Sequence, residues 1–321
     1  LPAVSDNWHY RVIPFPRAWT QTRLPFDLYT HFPRPHVFFS PSHYAPRWSP
    51  VPVVISIMDL GFLDTPDQFT AYDLTQLKSW TAYSVRQAKK ILTISEFTKS
   101  VIIAKYHRDS SDIIVTYPGI DDKLFKPTLD PAVLTKYSIK KPYLLFLSSL
   151  KPSKNVIGLI RAFSKLEISN LSLVISGKRA LLYDEIFRQV KDLQLEDRVI
   201  FTDFVPDSDV PALMSQAGCF VMPSFYEGFG IPVVEAMACG VPVVVSKVAS
   251  LPEVAGDAGI YVDPYSVDSI VSGLKIALSA AGKQFISKGF SQIKKFNWSE
   301  TAQKTLQVLD QTSKFKNESE R

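Results

Sequence analysis

The chain has 321 residues, which is more than a single hydrophobic core usually serves, so two domains are expected. Its composition, 46% hydrophobic and 21% charged, is that of a globular protein, and no uninterrupted apolar run reaches the ~18 residues that would suggest a membrane span. The net charge of +5 fits an anionic ligand or contact with a membrane surface. Two cysteines are too few for a disulfide framework, so we expect a cytoplasmic protein.

Residues 1–125 predict the first α/β domain. Short apolar runs alternate with amphipathic helices, which is typical of a parallel sheet. Ligands collect at the carboxyl ends of such strands, so His43 and Asp59, which follow the first two predicted strands, are candidate ligand-contacting residues. The predicted strands are 37–40, 51–57, 91–94 and 113–116, and the predicted helices are 70–89 and one capped by Ser95.

Residues 142–296 predict a second α/β domain. The proline- and lysine-rich segment 126–141 is interpreted as the interdomain linker. A last helix, about 299–315 with Ser299 as its cap, is assigned to the first domain. The strands predicted in the second domain are 143–147, 171–175, 199–202, 219–222, 243–245 and 260–262, and the helices include 180–193, 207–217, 266–278 and 282–294.

Residues 219–246 predict a strand, a glycine-containing turn, a short helix and a second strand. Gly228 and Gly230 leave backbone amides uncovered in the turn, and the helix that follows begins near Pro232. Such a helix start is a ready site for a phosphate. Glu227 and Glu235 flank it, and because a carboxylate repels a phosphate, we interpret both as acceptors of hydrogen bonds from neutral hydroxyls. The stretch therefore predicts a site for a nucleotide sugar.

Three further sequence features accompany these glutamates or include them. Residues 227–235 read Glu-Gly-Phe-Gly-Ile-Pro-Val-Val-Glu, residues 251–259 read Leu-Pro-Glu-Val-Ala-Gly-Asp-Ala-Gly, and residues 151–155 read Lys-Pro-Ser-Lys-Asn. With them, residues 37–312 resemble the family 4 glycosyltransferases, in particular their mannosyltransferase-like members. The resemblance implies a GT-B architecture, in which two Rossmann-like domains face each other across a cleft, and a reaction that retains the anomeric configuration.

The resemblance also implies roles for individual residues. Glu227 and Lys154 would be catalytic, with Glu227 near the donor sugar and Lys154 on the diphosphate, while Glu235 would accept hydrogen bonds from the ribose. His43 and Asp59 would lie on the acceptor side of the cleft. The other residues expected to bind the donor are Ser149, Ser176, Gly177, Lys178, Ser224, Gly228, Phe229, Gly230 and Ile231.

The implied partners are a nucleotide-sugar donor and a glycan or lipid-linked acceptor. The donor is GDP-mannose or a UDP-sugar, and no metal, other cofactor or nucleic acid is expected. Peripheral contact with the inner face of the membrane is compatible with this class of acceptor. The oligomeric state stays open.

Three departures from the family pattern keep a second interpretation open. Met58, taken as a core residue, replaces a histidine, and Ser148 replaces an arginine. The strand and glycine-rich loop that begin the family's first domain are not recognisable before residue 37, so that domain is expected to be incomplete. The alternative is a catalytically impaired relative that binds a nucleotide sugar or acts as a scaffold. A dinucleotide dehydrogenase is disfavoured, because no G-x-G-x-x-G follows the first strand of either half.

Overall fold

The computed structural model describes residues 9–14, 18–178 and 184–319, with side chains described as far as residue 314. The described residues form two separate parallel β-sheets, one of four strands and one of six, each with helices packed against it. The start of the predicted helix 180–193 falls outside the described residues. The α/β class and the presence of two sheets agree with the sequence prediction.

The first sheet has the strand order β1-β2-β3-β4, and its strands are all parallel. All five residues of its second strand are buried, as expected for a continuous apolar run covered on both faces. The strands are β1 (Phe38–Ser40), β2 (Val53–Ile57), β3 (Lys90–Thr93) and β4 (Ile113–Val115), and the helices of this half are α1 (Arg23–Thr30), α2 (Ala71–Gln87) and α3 (Glu96–Tyr106).

The second sheet places its strands in the order β10-β9-β8-β5-β6-β7. The chain therefore leaves β5 in one direction and returns to its other side at β8, so the switch point where ligands usually bind lies between these two strands. The strands are β5 (Tyr143–Leu147), β6 (Ser172–Ser176), β7 (Val199–Asp203), β8 (Cys219–Met222), β9 (Val243–Ser246) and β10 (Gly259–Val262).

The helices of the second half cover both faces of this sheet. Two of them, α4 and α9, were not predicted from the sequence, and neither was α1. These helices are α4 (Pro131–Lys136), α5 (Val156–Ser164), α6 (Asp184–Asp192), α7 (Val210–Ser215), α8 (Ile231–Ala238), α9 (Leu251–Ala255), α10 (Val267–Leu278) and α11 (Lys283–Gln292), and they are followed by α12 (Trp298–Ser319).

Helix α12 crosses back to the first sheet. Its Val308 is buried against Val54 and Leu92, so the predicted return of the last helix to the first half is present. The predicted cap is wrong: Ser299 lies inside the helix, and its amide donates to Oδ1 of Asn297 at 2.8 Å. Within the described residues, no helix combines the length and the apolar character needed to cross a membrane.

The segment 126–141, interpreted as a linker, contains helix α4. Oδ1 of Asp130 accepts a hydrogen bond from the amide of Ala132 at 2.9 Å and so caps it. Val133 and Leu134 are buried in the same core as the second sheet. This segment is therefore packed onto the second half rather than free of it.

Candidate active site

Two loops at the switch point carry most of the predicted site. The first follows β5 and contains Lys154 in a 3₁₀ turn, and the second follows β8 and leads into α8. Asn155 ties the loops together, because its Nδ2 donates to the carbonyl of Pro223 at 3.0 Å and to that of Pro264 at 2.7 Å. The amide of Phe225 also donates to the carbonyl of Ser153 at 2.8 Å. The loops are thus fixed relative to each other.

Lys154 and Glu227 meet at the junction of these loops. The Nζ of Lys154 lies 2.7 Å from Oε1 of Glu227, and the two side chains are only 16% and 10% exposed. Ser224 donates its hydroxyl to the same Oε1 at 2.8 Å. Two donors therefore hold this carboxylate, while no other described residue bonds to Oε2 or to the two other Nζ hydrogens, which are open to a ligand.

The turn before α8 presents backbone amides. Gly230 has φ of +99°, which a residue with a side chain adopts only under strain. Serine hydroxyls bind the backbone carbonyls of the turn. The Ser250 hydroxyl donates to the carbonyls of Glu227 and Phe229, and the Ser95 hydroxyl donates to the carbonyl of Gly228. No described residue accepts a hydrogen bond from the amides of Gly228, Phe229 or Gly230. This is the pattern expected of an anion-binding turn at a helix start.

Three cavities with shared lining residues follow these loops. The first, of 220 Å³, is bordered by Lys154, Glu227 and Gly228 together with Asp59. The second, of 360 Å³, shares Ser149 with the first, and its lining includes Ser176, Gly177, Lys178, Phe204, Asp207 and Glu235. The third, of 150 Å³, shares Glu235 with the second and is lined by Phe229, Ile231 and Trp298, among others.

Glu235 has an unusual electrostatic environment. Burial raises its pKa to about 7, and Asp207 adds a smaller effect in the same direction. It lines two of the three cavities. The carboxyl can therefore gain or lose a proton close to neutral pH.

The two acceptor-side candidates are placed differently. Asp59 lines the 220 Å³ cavity, where its Oδ1 accepts a hydrogen bond from the amide of Gly61 at 2.8 Å. His43 is absent from the described lining of these cavities; its ring packs edge-on against Tyr44. Burial lowers the pKa of His43, and the nearby Asp59 opposes this with a smaller effect. The prediction that Met58 is a core residue is wrong, since its side chain is 40% exposed.

The two halves of the chain also contact each other directly beside the site. Glu253 at the start of α9 accepts hydrogen bonds from the amides of Glu96 and Phe97 at 2.7 and 3.1 Å, so it caps α3 from the other half. The hydroxyl of Tyr117 donates to the same carboxylate at 2.7 Å. Glu253 lies in the Leu-Pro-Glu-Val motif at residues 251–254, but its role is not predictable from that motif alone.

Aromatic side chains of the turn pack internally. Phe229 is buried with Tyr117 and Phe296, so only its backbone remains a candidate for donor binding. Tyr226 accepts a hydrogen bond from the amide of Leu60 at 3.3 Å, which is another contact between the halves. The described residues contain no cluster of three or more histidine, cysteine or acidic side chains able to hold a metal.

Comparison with known proteins places these features in a family. Residues 135–289 match the family model described as glycosyl transferases group 1. The chain is 33% identical over 279 residues to O-antigen chain mannosyltransferase B of Escherichia coli, an alignment that covers 84% of this chain and 73% of the relative.

Solved structures show the same fold. Sucrose-phosphate synthase from Thermosynechococcus elongatus superposes with a TM-score of 0.71 at 20% identity, covering 83% of this chain and 68% of that one. HepE from Anabaena, in complex with UDP and glucose, gives a TM-score of 0.69 at 22% identity, covering 81% of this chain and 72% of that one. The predicted architecture of two facing α/β domains is confirmed by these likenesses.

Proposed function

Because the chain belongs to the group 1 glycosyltransferases and is therefore a hexosyltransferase with the GT-B fold, we propose that it moves a hexose from a nucleotide-diphosphate sugar to a glycan or lipid-linked acceptor. The transfer retains the anomeric configuration and uses no metal ion. The relative's name, a mannosyltransferase that acts on an O-antigen chain, favours GDP-mannose as the donor and a growing polysaccharide as the acceptor. A UDP-sugar is the second candidate.

The observation that carries the proposal is the ion pair of Lys154 and Glu227 beside the uncovered amides of Gly228 to Gly230. As the bond from the sugar to the diphosphate breaks, negative charge grows on the leaving phosphate. The remaining Nζ hydrogens of Lys154 and the turn amides stabilise that charge without reorganising. A lysine and a helix start thus do the work that a metal ion does in other transferases, which supports a metal-independent reaction.

The same ion pair gives Glu227 a specific task. Its Oε1 is held by Lys154 and Ser224, which fixes the orientation of the carboxylate. The free Oε2 then accepts a hydrogen bond from a hydroxyl of the donor hexose. Glu227 therefore positions the sugar relative to the lysine that stabilises the leaving group.

The 360 Å³ cavity is assigned to the nucleoside. Glu235 accepts hydrogen bonds from the ribose, and Ser149, Ser176 and Lys178 line the rest of the cavity. Gly177 allows a close approach of two loops, because a Cβ there would lie 1.8 Å from the carbonyl oxygen of Ser148. In the 220 Å³ cavity, Asp59 is the candidate for the acceptor side, and His43 lies close enough to respond to its charge.

Release of nucleotide from a panel of GDP- and UDP-sugars tests the proposal. Wild-type protein with a polysaccharide or lipid-linked acceptor is expected to release GDP from GDP-mannose, with or without a chelator. Glu235→Ala and Lys154→Ala are each expected to weaken turnover, whereas Lys165→Ala, which removes a lysine from an exposed ion pair with Asp268, is the matched control. Unchanged turnover in both site variants would refute the site assignment, and nucleotide binding without release from any donor would favour a non-catalytic role.

A further inference from the structure

The largest of the described cavities lies outside the site discussed so far. It has a volume of 690 Å³ and is lined by residues that precede β2, end α2 or follow α3, which places it at the amino-terminal edge of the first sheet. Asp59 and the other cleft residues lie at the carboxyl edge of the same parallel strands. The cavity, here called the basal groove, is lined by Tyr29, Pro46, Arg47, Trp48, Ser49, Val51, Pro52, Val53, Tyr83, Arg86, Gln87, Ala88, Lys89 and Arg108.

The charged residues described in the lining of the basal groove are all cationic. Four cations line it, Arg47, Arg86, Lys89 and Arg108, and no acidic residue is among its described lining residues. Arg108 has structural partners, since it pairs with Asp112 at 2.8 Å and donates to the carbonyl of Ala88 at 2.7 Å. Arg47 and Arg86 are exposed, and the guanidinium of Arg47 lies 4.6 Å from the ring centre of Tyr83. These two arginines are therefore placed to bind an anion.

The groove also presents aromatic surface beside its arginines. Trp48 is 63% exposed and Tyr29 is 46% exposed, while the floor is formed by the buried side chains of Val51 and Val53. Exposed aromatic rings with a polar end suit a ligand that is partly apolar and partly hydrated. A single phosphate ion would use neither these rings nor most of the volume.

We propose that the basal groove binds a saccharide that carries a phosphate group, with a sugar ring packed on Trp48 and Tyr29 and the phosphate on Arg47 and Arg86. The apolar face of a sugar ring matches the aromatic rings, and the phosphate matches the guanidinium forks. The concave shape favours a discrete ligand over a flat surface such as a bilayer. This site is separate from the donor cleft and does not depend on the proposed transfer reaction.

Calorimetric titration of the protein with maltose 1-phosphate tests the proposal, with maltose, inorganic phosphate and phosphatidylglycerol vesicles as comparison ligands. Binding is expected to be tightest for the sugar phosphate and to weaken as salt is raised. The double variant Arg47→Gln/Arg86→Gln is expected to weaken it by about tenfold or more. The control Lys275→Gln/Lys283→Gln, which removes the same charge from exposed positions of the second half, is expected to bind as wild type does.

The variant Trp48→Ala tests the contact with the sugar ring independently of the contact with the phosphate. It is expected to weaken maltose 1-phosphate binding and to leave any binding of inorganic phosphate unchanged. The proposal is overturned if the sugar phosphate does not bind, if it binds equally to the arginine variant, or if inorganic phosphate binds as tightly. Binding of vesicles alone, lost in the arginine variant, would make the groove a membrane contact and would equally overturn it.

Discussion

Lys154 and Glu227 form an ion pair of 2.7 Å although 73 positions separate them in the chain. Each comes from a loop at the carboxyl end of a strand, and the adjacency of β5 and β8 in the sheet brings those loops together. Both side chains are largely buried, so each depends on the other for compensation of its charge. The strand order of the second sheet therefore determines that these two charged residues meet in the candidate site.

Removal of the lysine is expected to impair catalysis. Lys154→Ala deletes the charge that we propose stabilises the leaving diphosphate, and we expect kcat/KM for the donor to fall about 100-fold or more. The exposed pair of Lys165 and Asp268, with 54% and 83% exposed side chains, provides the control, because Lys165→Ala is expected to leave turnover unchanged. Steady-state kinetics of nucleotide release distinguishes the two, and equal rates in both variants would contradict the role.

A double variant of Lys154 and Glu227 is expected to regain stability without regaining turnover. Lys154→Met alone leaves Glu227 buried without its cation and is expected to lower the free energy of unfolding by about 3 kcal/mol. The addition of Glu227→Gln removes the uncompensated charge and is expected to recover most of that loss without recovering turnover. Urea denaturation and kinetics of the same samples measure both. Recovery of turnover in the double variant would show that the charges are only structural.

Donor binding is expected to depend on the ionisation of Glu235. Burial raises its pKa to about 7, and a carboxylate that accepts hydrogen bonds from a ribose is favoured in its ionised form. The KM for the donor is therefore expected to rise by about tenfold as the pH falls from 8 to 6. In Glu235→Gln the KM is expected to be higher but nearly independent of pH over this range. A wild-type KM that does not change would contradict the assignment.

The same pKa predicts a change in stability without ligand. Between the ordinary pKa of 4.5 and about 7, folded Glu235 retains a proton that the unfolded chain has released. The free energy of unfolding is therefore expected to decrease as the pH rises through this window, and Glu235→Gln removes this decrease. Urea denaturation of wild type and variant at pH 5 and pH 8 measures how much the free energy of unfolding changes with pH in each protein.

Glu253 is expected to hold the two halves together. Its carboxylate caps α3 and accepts the hydroxyl of Tyr117, whose pKa burial and Glu253 together raise. Glu253→Gln is expected to lower the free energy of unfolding by about 1–2 kcal/mol, since the helix start loses its negative charge. Glu167→Gln, at an exposed position, is the control. Identical denaturation midpoints for the two variants would show that the contacts of Glu253 with α3 and Tyr117 do not stabilise the protein.

Gly228 lies at a close approach of the two halves. A Cβ at this position would lie 2.6 Å from Cβ of Asp59 and 2.8 Å from the carbonyl oxygen of Met58. Gly228→Ala is expected to force the halves apart and to lower kcat/KM by about tenfold or more, because displacements of about 1 Å in a catalytic site have effects of this size. Small-angle scattering and kinetics test this, and unchanged kinetics would show that the contact is not needed for turnover.

Much of the fold was readable from the sequence, because buried parallel strands are continuous apolar runs. The strand Cys219–Met222 was predicted with its observed bounds, and Ser95 caps its helix as predicted. Helix α4 was not predicted because it is only six residues long, and the prolines and lysines around it are also typical of a linker. The prediction for Met58 was wrong because an apolar residue that follows a buried strand can be exposed as easily as buried.

The site was predicted as a set of residues, but its internal contacts were not. Local sequence identified the turn at Gly228 to Gly230, since a glycine turn before a helix has a recognisable spacing. It could not show that Glu227 is paired with Lys154, because that contact depends on which strands are neighbours in the sheet. The cap that Glu253 provides for α3 spans 157 positions between the two halves and leaves no local signal.

The catalytic role of Lys154 is tested by the rate of GDP release from GDP-mannose, measured side by side for wild type, Lys154→Ala and Lys165→Ala in the presence of a chelator and a glycan acceptor. We predict equal release by wild type and Lys165→Ala and a loss of about 100-fold or more in Lys154→Ala. Release by Lys154→Ala at the wild-type rate would show that Lys154 does not stabilise the leaving group.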